Sequence, residues 1–285
     1  MKIAVFVNPI KPGIFEFARE VIDRLNALDA EVFTSQKYSN ELCNVPVSFK
    51  SGINNIIAPC GVVLVIGGDG TIIHFAKHAA KFSKPVLGVN FGRLGFVAGL
   101  ERTELDKLAQ LVSGKYRVQK RSLLDVAVYK NAQKKRFIAF NDAVISKGEN
   151  TKIIDFSVYL NENEVCSYRA DGTILATATG STAYSLSAGG PIVDPTLDCV
   201  LLTPVCPHAM FAKPIVFSNE FPVVLKAVDR EDNGIFLNID GNNVLNLSDC
   251  DAVEVTCAKQ KVELITFDSR SFGKRLSEKF EVFCK

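Results

Sequence analysis

"VIGGDGTIIH", residues 65–74, ends an apolar run in two glycines, an aspartate, a third glycine and a threonine, then resumes with residues suited to a helix. Val62–Ile66 has the composition of a buried strand, and the segment after Thr71 reads as a helix to about Ala80. A strand that turns through glycines into a helix is the repeating unit of a parallel sheet, with ligands expected beyond the carboxyl ends of the strands. Gly67, Gly68 and Gly70 lack a Cβ, so a phosphate can approach the backbone N–H groups, and the helix start near Thr71 adds its positive end. The lysine of G-x-x-x-x-G-K-[ST] is missing and G-x-G-x-x-G does not fit the run. Asp69 therefore needs its own task. A carboxylate beside phosphates is unfavourable unless a metal bridges it or it accepts the proton of a hydroxyl. Taken alone, the loop also reads as a tight turn with Asp69 as helix N-cap.

Working outward, residues 2–7 form a strand, and Phe15, Ala18, Ile22, Leu25 and Leu28 recur at helical spacing behind Pro12-Gly13. Pro85–Val89 is a further strand, and Thr103 with Asp106 resembles a helix-opening capping pair. Beyond Gly114 the pattern changes to short runs such as "LLDVAVYK", "RFIAFNDAVIS", "DFSVYL" and "VCSYRA", which read as antiparallel hairpins. Later strands are expected at "FPVVLKAV", "GIFLNI", "DAVEVTCA" and "VELITF", with a turn at Asp240-Gly241-Asn242. The division expected is an α/β domain over residues 1–116, a β-rich domain over 117–267, and a helical segment 268–285 packing back onto the first.

The 285 residues carry 33 Lys+Arg against 31 Asp+Glu, a balance that points to neither nucleic acid nor another strongly charged partner. Lys134-Lys135-Arg136 reads as a solvated hairpin tip. With no apolar stretch of about 20 residues and no secretory pattern in "MKIAVFVNP", a soluble cytoplasmic protein without membrane contact is expected. Eight scattered cysteines read as reduced thiols; Cys199, Cys206 and His208 lack the second ligand pair of a zinc site, so no metal ligands are assigned.

A second segment, "ADGTILATATGSTAYSLSAGGPIVDP" (170–195), gathers small and hydroxyl side chains around one Tyr184. This composition suits a surface meeting a flat polar ligand, with Thr182 and Ser187 as hydrogen-bond partners and Tyr184 as an aromatic wall. A small-residue helix packed tightly on a neighbour is the other reading.

With these blocks in place the sequence resembles the ATP-NAD kinase family of bacterial type. The resemblance lies in "GGDGT" (67–71), "NFGRLGFVA" (90–98), "NDAVIS" (141–146) and "DGTILATATGSTAYSLSAGGP" (171–191). GGDGT is shared with diacylglycerol-kinase-like lipid kinases, whereas the TGSTAYSLSAGGP block is specific. The resemblance implies a Rossmann/flavodoxin-like α/β domain with a parallel sheet, and a C-terminal β-sandwich domain. It implies ATP as phosphoryl donor, NAD as acceptor, a divalent metal, Mg²⁺, and a homodimer or homotetramer. Asp69 would accept the proton of the adenosine ribose 2′-hydroxyl or orient it, with Gly67, Gly68, Gly70 and Thr71 forming the phosphate loop. Asn141 and Asp142 would hold the adenosine part of NAD, where the family usually has Asn-Glu. Thr182, Ala183, Tyr184, Ser185, Leu186 and Ser187 would line that site, with Arg169 and Asp171 at the same dinucleotide. His74, Lys152 and Asn242 would be further contacts; as a lone histidine on a helix, His74 is equally read as a partly exposed residue. Two other functions fit the loop: a lipid kinase, which needs an apolar cleft, and a non-catalytic NAD(P)-binding sensor, which needs no carboxylate at the acceptor hydroxyl.

Overall fold

In the computed structural model, residues 1–92, 95–130, 133–148, 153–229, 234–249, 251–267, 272–273 and 276–277 are described. Two units separate: Met1–Lys120 with Val262–Lys285, and Arg121–Lys261.

In the first unit, strands are interleaved with helices, and the central strands Lys2–Val7, Val62–Gly67 and Val86–Asn90 are the most fully buried. The elements run β1 (Lys2–Val7), α1 (Ile14–Asn26), β2 (Glu31–Ser35), β3 (Ser48–Lys50), α2 (Ile53–Ile57), β4 (Val62–Gly67), α3 (Asp69–Ala80), β5 (Val86–Asn90) and α4 (Leu108–Val112). The sheet is parallel in the order β5-β4-β1-β2-β3, with Val5 opposite Leu64 and Val65 opposite Gly88. Every residue of β4 and β5 is buried, the pattern of a strand covered on both faces. Ile14, Phe17, Ala18, Val21, Ile22 and Leu25 form the buried face of α1, which packs in one cluster with Ile3, Val5, Leu64 and Ile66. Gly13, with φ 72°, turns the chain into that helix. The capping pair expected at Thr103 and Asp106 lies instead two residues earlier, where the Glu104 carboxylate accepts the Glu101 N–H at 3.0 Å. The longer acid side chain reaches back across the turn as in a capping box.

The second unit is built mainly from antiparallel pairs; residues 117–120 of its first strand and 262–266 of its last belong to the first unit. Its strands are β6 (Arg117–Lys130), β7 (Gln133–Ala139), β8 (Asp142–Lys147), β9 (Ile154–Leu160), β10 (Asn163–Ala170), β11 (Gly172–Ala176), then the short helix α5 (Tyr184–Ser187), β12 (Cys199–Val205), β13 (Ile215–Ser218), β14 (Val223–Val228), β15 (Ile235–Ile239), β16 (Asn242–Leu247) and β17 (Ala252–Thr266). One sheet runs β13-β12-β11-β8-β15-β16. Another set pairs β10 with β9, β9 with β14, and β14 with β17; β6 and β7 form a hairpin. Phe156, Val158, Leu175, Val200, Leu225 and Val255 belong to one buried cluster drawn from both sets.

Two sequence expectations change here. "RFIAFNDAVIS" is two strands in different sheets, broken at Phe140-Asn141, and "DAVEVTCA" with "VELITF" is the single strand β17, whose Leu264 pairs with Val86 in the first unit's sheet. The Lys134-Lys135-Arg136 cluster lies on β7, where Arg136 pairs with Asp125 at 2.9 Å and Lys134 with Glu254 at 3.9 Å. The expected return of 268–285 falls almost wholly outside the described residues. Cys43, Cys60, Cys166, Cys199, Cys206 and Cys257 are free thiols. Among the described residues no helix is long and apolar enough to cross a membrane.

Candidate functional site

In the first unit, the loops following β1, β4 and β5 meet at the carboxyl ends of those parallel strands. Phe91 N–H donates to the Gly67 carbonyl at 2.9 Å, tying the third loop to the second, and Asn8 N–H donates to the Ile66 carbonyl at 3.3 Å. Asp69 opens α3, but it is not the N-cap; that position is held by Gly68, which has no side chain to cap with. The Asp69 carboxylate turns away from its own helix and accepts the backbone N–H groups of Phe96, at 2.9 Å, and Val97, at 3.3 Å. Gly95 leaves the space that carboxylate occupies, since a Cβ there would collide with it. Two fixed donors from a separate loop therefore hold the acid in one orientation, an arrangement suited to proton transfer at a defined atom.

The three glycines of the loop have different physical reasons. A Cβ on Gly67 would stand 2.8 Å from that of Thr71, so this glycine makes room inside the protein. Gly68 would bring a methyl group to 3.5 Å from the Lys11 amine. Gly70 is exposed and has nothing within 4 Å of its missing Cβ, so its clearance opens outward. His74, farther along α3, is exposed and sits edge-on to Phe75 and His78, with ring centroids at 4.9 and 5.2 Å. Partial burial and the Lys77 ammonium hold its imidazole below the ordinary histidine range.

In the second unit, a cavity of about 410 Å³ is lined by Asn141, Asp142, Val144, Ser146, Ala183, Tyr184, Asn238, Asp240 and Gly241. Asp142, Val144 and Ser146 alternate along β8 and so share one face. Asn238 lies beside Val144 on β15, and the turn Asp240-Gly241 follows, both residues with positive φ (47° and 77°). Such a turn matches the right-handed twist of the β15–β16 hairpin. Its first residue is also the floor of the cavity. The Asp240 carboxylate accepts N–H donors from Phe140, at 3.0 and 3.1 Å, Asn141, at 2.7 Å, and Asp142, at 3.3 Å. Asp142 is itself buried, and desolvation followed by the charge of Asp240 pushes its carboxyl up to about 7.

The segment 170–195 supports this cavity largely from behind. Its first strand, Gly172–Ala176, is fully buried and flanked by β8 and β12, so this part of the segment is core, where the composition suggested a surface meeting a ligand. Gly172 has to be small because the Ile145 carbonyl would lie 2.8 Å from its Cβ. Thr177 donates to the Phe140 carbonyl at 2.8 Å and accepts Gly180 N–H at 2.9 Å, while its own N–H reaches the Asn141 carbonyl at 2.9 Å. Ser181 bridges the Ala178 carbonyl, at 2.7 Å, and Val193 N–H, at 3.0 Å; Ser185 bonds Thr203 at 2.9 Å. These hydroxyls satisfy an irregular, buried backbone.

Of the residues singled out from sequence, Asn141, Asp142, Ala183 and Tyr184 come together at the cavity, with Tyr184 48% exposed. Thr182 bonds the Thr179 carbonyl at 3.2 Å; Ser185 is buried, Leu186 half-buried and Ser187 exposed. Arg169 pairs with Asp155 at 3.0 Å and Asp171 with Lys147 at 2.7 Å, and neither lines the cavity. Asn242 is exposed just past the turn, bonding the Asp240 carbonyl at 3.3 Å; Lys152 lies outside the described residues. Ser146, Asn238 and Asp240 were not singled out. The Asp-Gly turn was visible, but the three amides its carboxylate collects are about a hundred residues away.

Comparison with known proteins follows this division. The family model for the ATP-NAD kinase N-terminal domain matches residues 3–116, and that for the ATP-NAD kinase C-terminal domain matches residues 140–267. An NAD kinase of Symbiobacterium thermophilum is 36% identical over 287 residues, covering 98% of each chain. One from Moorella thermoacetica is 35% identical over 283 residues, covering 98% of this chain and 89% of that protein. Among solved structures, a yeast NADH kinase complexed with NADH superposes with a TM-score of 0.88 at 24% identity, over 99% of this chain and 87% of the other. An Archaeoglobus fulgidus NAD kinase in complex with ATP gives 0.72 at 24%, over 99% and 98%; these two likenesses show the shared fold. With both domains matched in order and relatives aligned over nearly the whole length, the chain belongs to the ATP-NAD kinase family of phosphotransferases.

Proposed function

We propose that this chain transfers the γ-phosphoryl group of ATP to the 2′-hydroxyl of the adenosine ribose of NAD, yielding ADP and NADP. The observation that carries this reading is the Asp69 carboxylate, fixed by Phe96 and Val97 N–H at the mouth of a glycine loop whose Gly70 opens outward. In the step inferred, the ribose hydroxyl gives its proton to Asp69 while its oxygen forms the new bond to the γ-phosphorus. The bond from that phosphorus to the bridging oxygen breaks, and ADP leaves with the electron pair. Phosphoryl transfer asks little covalent chemistry of the protein, so positioning and charge stabilisation supply most of the acceleration.

The cavity of the second unit is the candidate place for the adenosine part of NAD. Amide and carboxylate groups of Asn141, Asp142, Asn238 and Asp240 suit ribose hydroxyls and an adenine edge, and the exposed ring of Tyr184 offers a face for stacking. Among the described residues no group of three or more His, Cys, Asp or Glu side chains could hold a metal ion. These residues do not form a metal cage; the Mg²⁺ the resemblance implies would enter on the triphosphate. A cytoplasmic location and self-association through the β-rich unit belong to the same reading, the latter favoured by the exposed Met210 and Phe211.

The test is incubation of the purified protein with ATP, Mg²⁺ and NAD, followed by an assay for NADP, with NADH and a diacylglycerol as parallel acceptors. NADP formation is the expected result. Binding of NAD without ATP-dependent turnover would favour a sensor, and phosphorylation of the lipid alone would favour a lipid kinase.

A further inference from the structure

Beyond the residues singled out from sequence, the first unit places a cation at the glycine loop. Lys11 lies in "NPIKPG" (8–13), between β1 and α1. Its backbone is set by two turns: Lys11 N–H donates to the Asn8 carbonyl at 3.3 Å, and the Lys11 carbonyl accepts Ile14 N–H at 3.3 Å. Pro9 and Pro12 stiffen these turns and so fix where the flexible lysine stem leaves the backbone. The half-buried amine donates to the Phe91 carbonyl. Gly92 leaves room for it, since a methyl group there would stand only 2.6 Å from Nζ, and the amine also comes against Gly68 of the glycine loop, whose missing Cβ would lie in ordinary contact at 3.5 Å. No carboxylate among the described residues lies within ion-pair distance of it.

A lysine ammonium has three donors, and one carbonyl engages only one of them. An ammonium held against a carbonyl, with no counter-charge, beside backbone N–H groups at the carboxyl end of a parallel sheet is a receptor for an anion. Lysine serves such sites as a point charge and tolerates the changing geometry of a phosphate during transfer. We infer that Lys11 is a phosphate-binding residue of the donor subsite, contacting the polyphosphate of ATP and neutralising charge that grows on the departing ADP. The inference rests on the kinase reading and supplies the positive side chain that the GGDGT loop itself lacks.

The experiment compares Lys11→Met, Lys11→Arg, Gly92→Ala and the Lys11→Met/Gly92→Ala double variant, measuring KM for ATP and for NAD, ATP dissociation constants and thermal midpoints. Lys11→Met should raise the KM and Kd for ATP on the order of ten- to a hundredfold, the range of a charge-assisted hydrogen bond. Its KM for NAD and its thermal midpoint should stay close to wild type, and Lys11→Arg should recover most of the loss. Gly92 has φ 155°, so Gly92→Ala strains the backbone as well as crowding the amine and should lower the thermal midpoint; its ATP-selective loss, taken relative to NAD, should be smaller and disappear in the Lys11→Met background. A silent Lys11→Met, an equal loss for both substrates, or additive losses for the two changes overturns the inference. Failure of the kinase reading is distinguishable, because wild type itself would then make no NADP.

Discussion

The two stretches richest in small residues, 67–71 and 170–195, use smallness for opposite purposes. In the first, the acid is gripped by a neighbouring loop and Gly70 is left open to solvent. In the second, Gly172, Gly180 and Gly190 are filled by the protein's own backbone and side chains, and the hydroxyls of Thr177, Ser181 and Ser185 are consumed internally. Small residues mark close approach, and the identity of the approaching group is settled by where each missing Cβ points. One segment offers clearance to a ligand. The other uses clearance to hold Asn141 and Tyr184 in place.

The largest effect should come from the outward-facing stretch. Asp69→Asn should lower turnover by roughly 10²–10⁴-fold, with a modest fall in thermal midpoint because the amide can accept only one of the Phe96 and Val97 N–H groups. Near-normal turnover would reduce Asp69 to a loop anchor and erase the contrast. Next, Asp142→Ala should raise the apparent KM for NAD by about ten- to a hundredfold if its carboxyl meets a ribose hydroxyl. Asp142→Glu should be tolerated, and Asn141→Ala should be damaging in either case; a silent Asp142→Ala would confine recognition to Asn141.

A glycine pair tests the contrast directly. Gly180→Ala drives a methyl group into the Asn141 carbonyl and should destabilise the fold by about 1–3 kcal/mol. Gly70→Ala meets nothing and should shift stability by no more than about 0.5 kcal/mol while lowering activity. Equal destabilisation by the two would show that both stretches are packed alike. The last expectation concerns pH. Asp142 is raised from an ordinary 3.8 to about 7 by burial and then by Asp240, so the folded chain keeps a proton that the unfolded chain releases. Stability from this group is complete below 3.8 and is lost as pH rises through about 7. Thermal midpoints of wild type should therefore fall relative to Asp142→Asn across that window, and parallel profiles would remove the buried carboxyl from the account.

The strand-turn-helix grammar of the first unit was legible because its signals are local: a buried β4, a glycine turn and the apolar face of α1 lie within a few residues of one another. Asp69 was legible for the same reason, although what holds it was not, since Phe96 and Val97 reach it from another loop. Lys11 looked like any lysine in a proline-bounded turn, and its significance lies in the glycines opposite it, one of which is Gly92. The stretch 170–195 was misjudged in part because composition records the size of a residue but not its neighbours. In the antiparallel unit, "RFIAFNDAVIS" satisfied a strand pattern from end to end, and only the change of sheet at Phe140-Asn141 divides it.

The grip of Asp240 on the amides of Phe140, Asn141 and Asp142 has a consequence for the order of assembly. Donor and acceptor are 100 residues apart at Phe140, so a chain emerging from the ribosome carries these amides long before their carboxylate exists. The β1–β5 region needs only earlier residues to pair its strands, apart from the late addition of Leu264. The cavity floor is therefore completed only once Asp240 has been made, and a nascent chain stalled before Asp240 would carry the Asp69 loop without a finished pocket for nucleoside recognition.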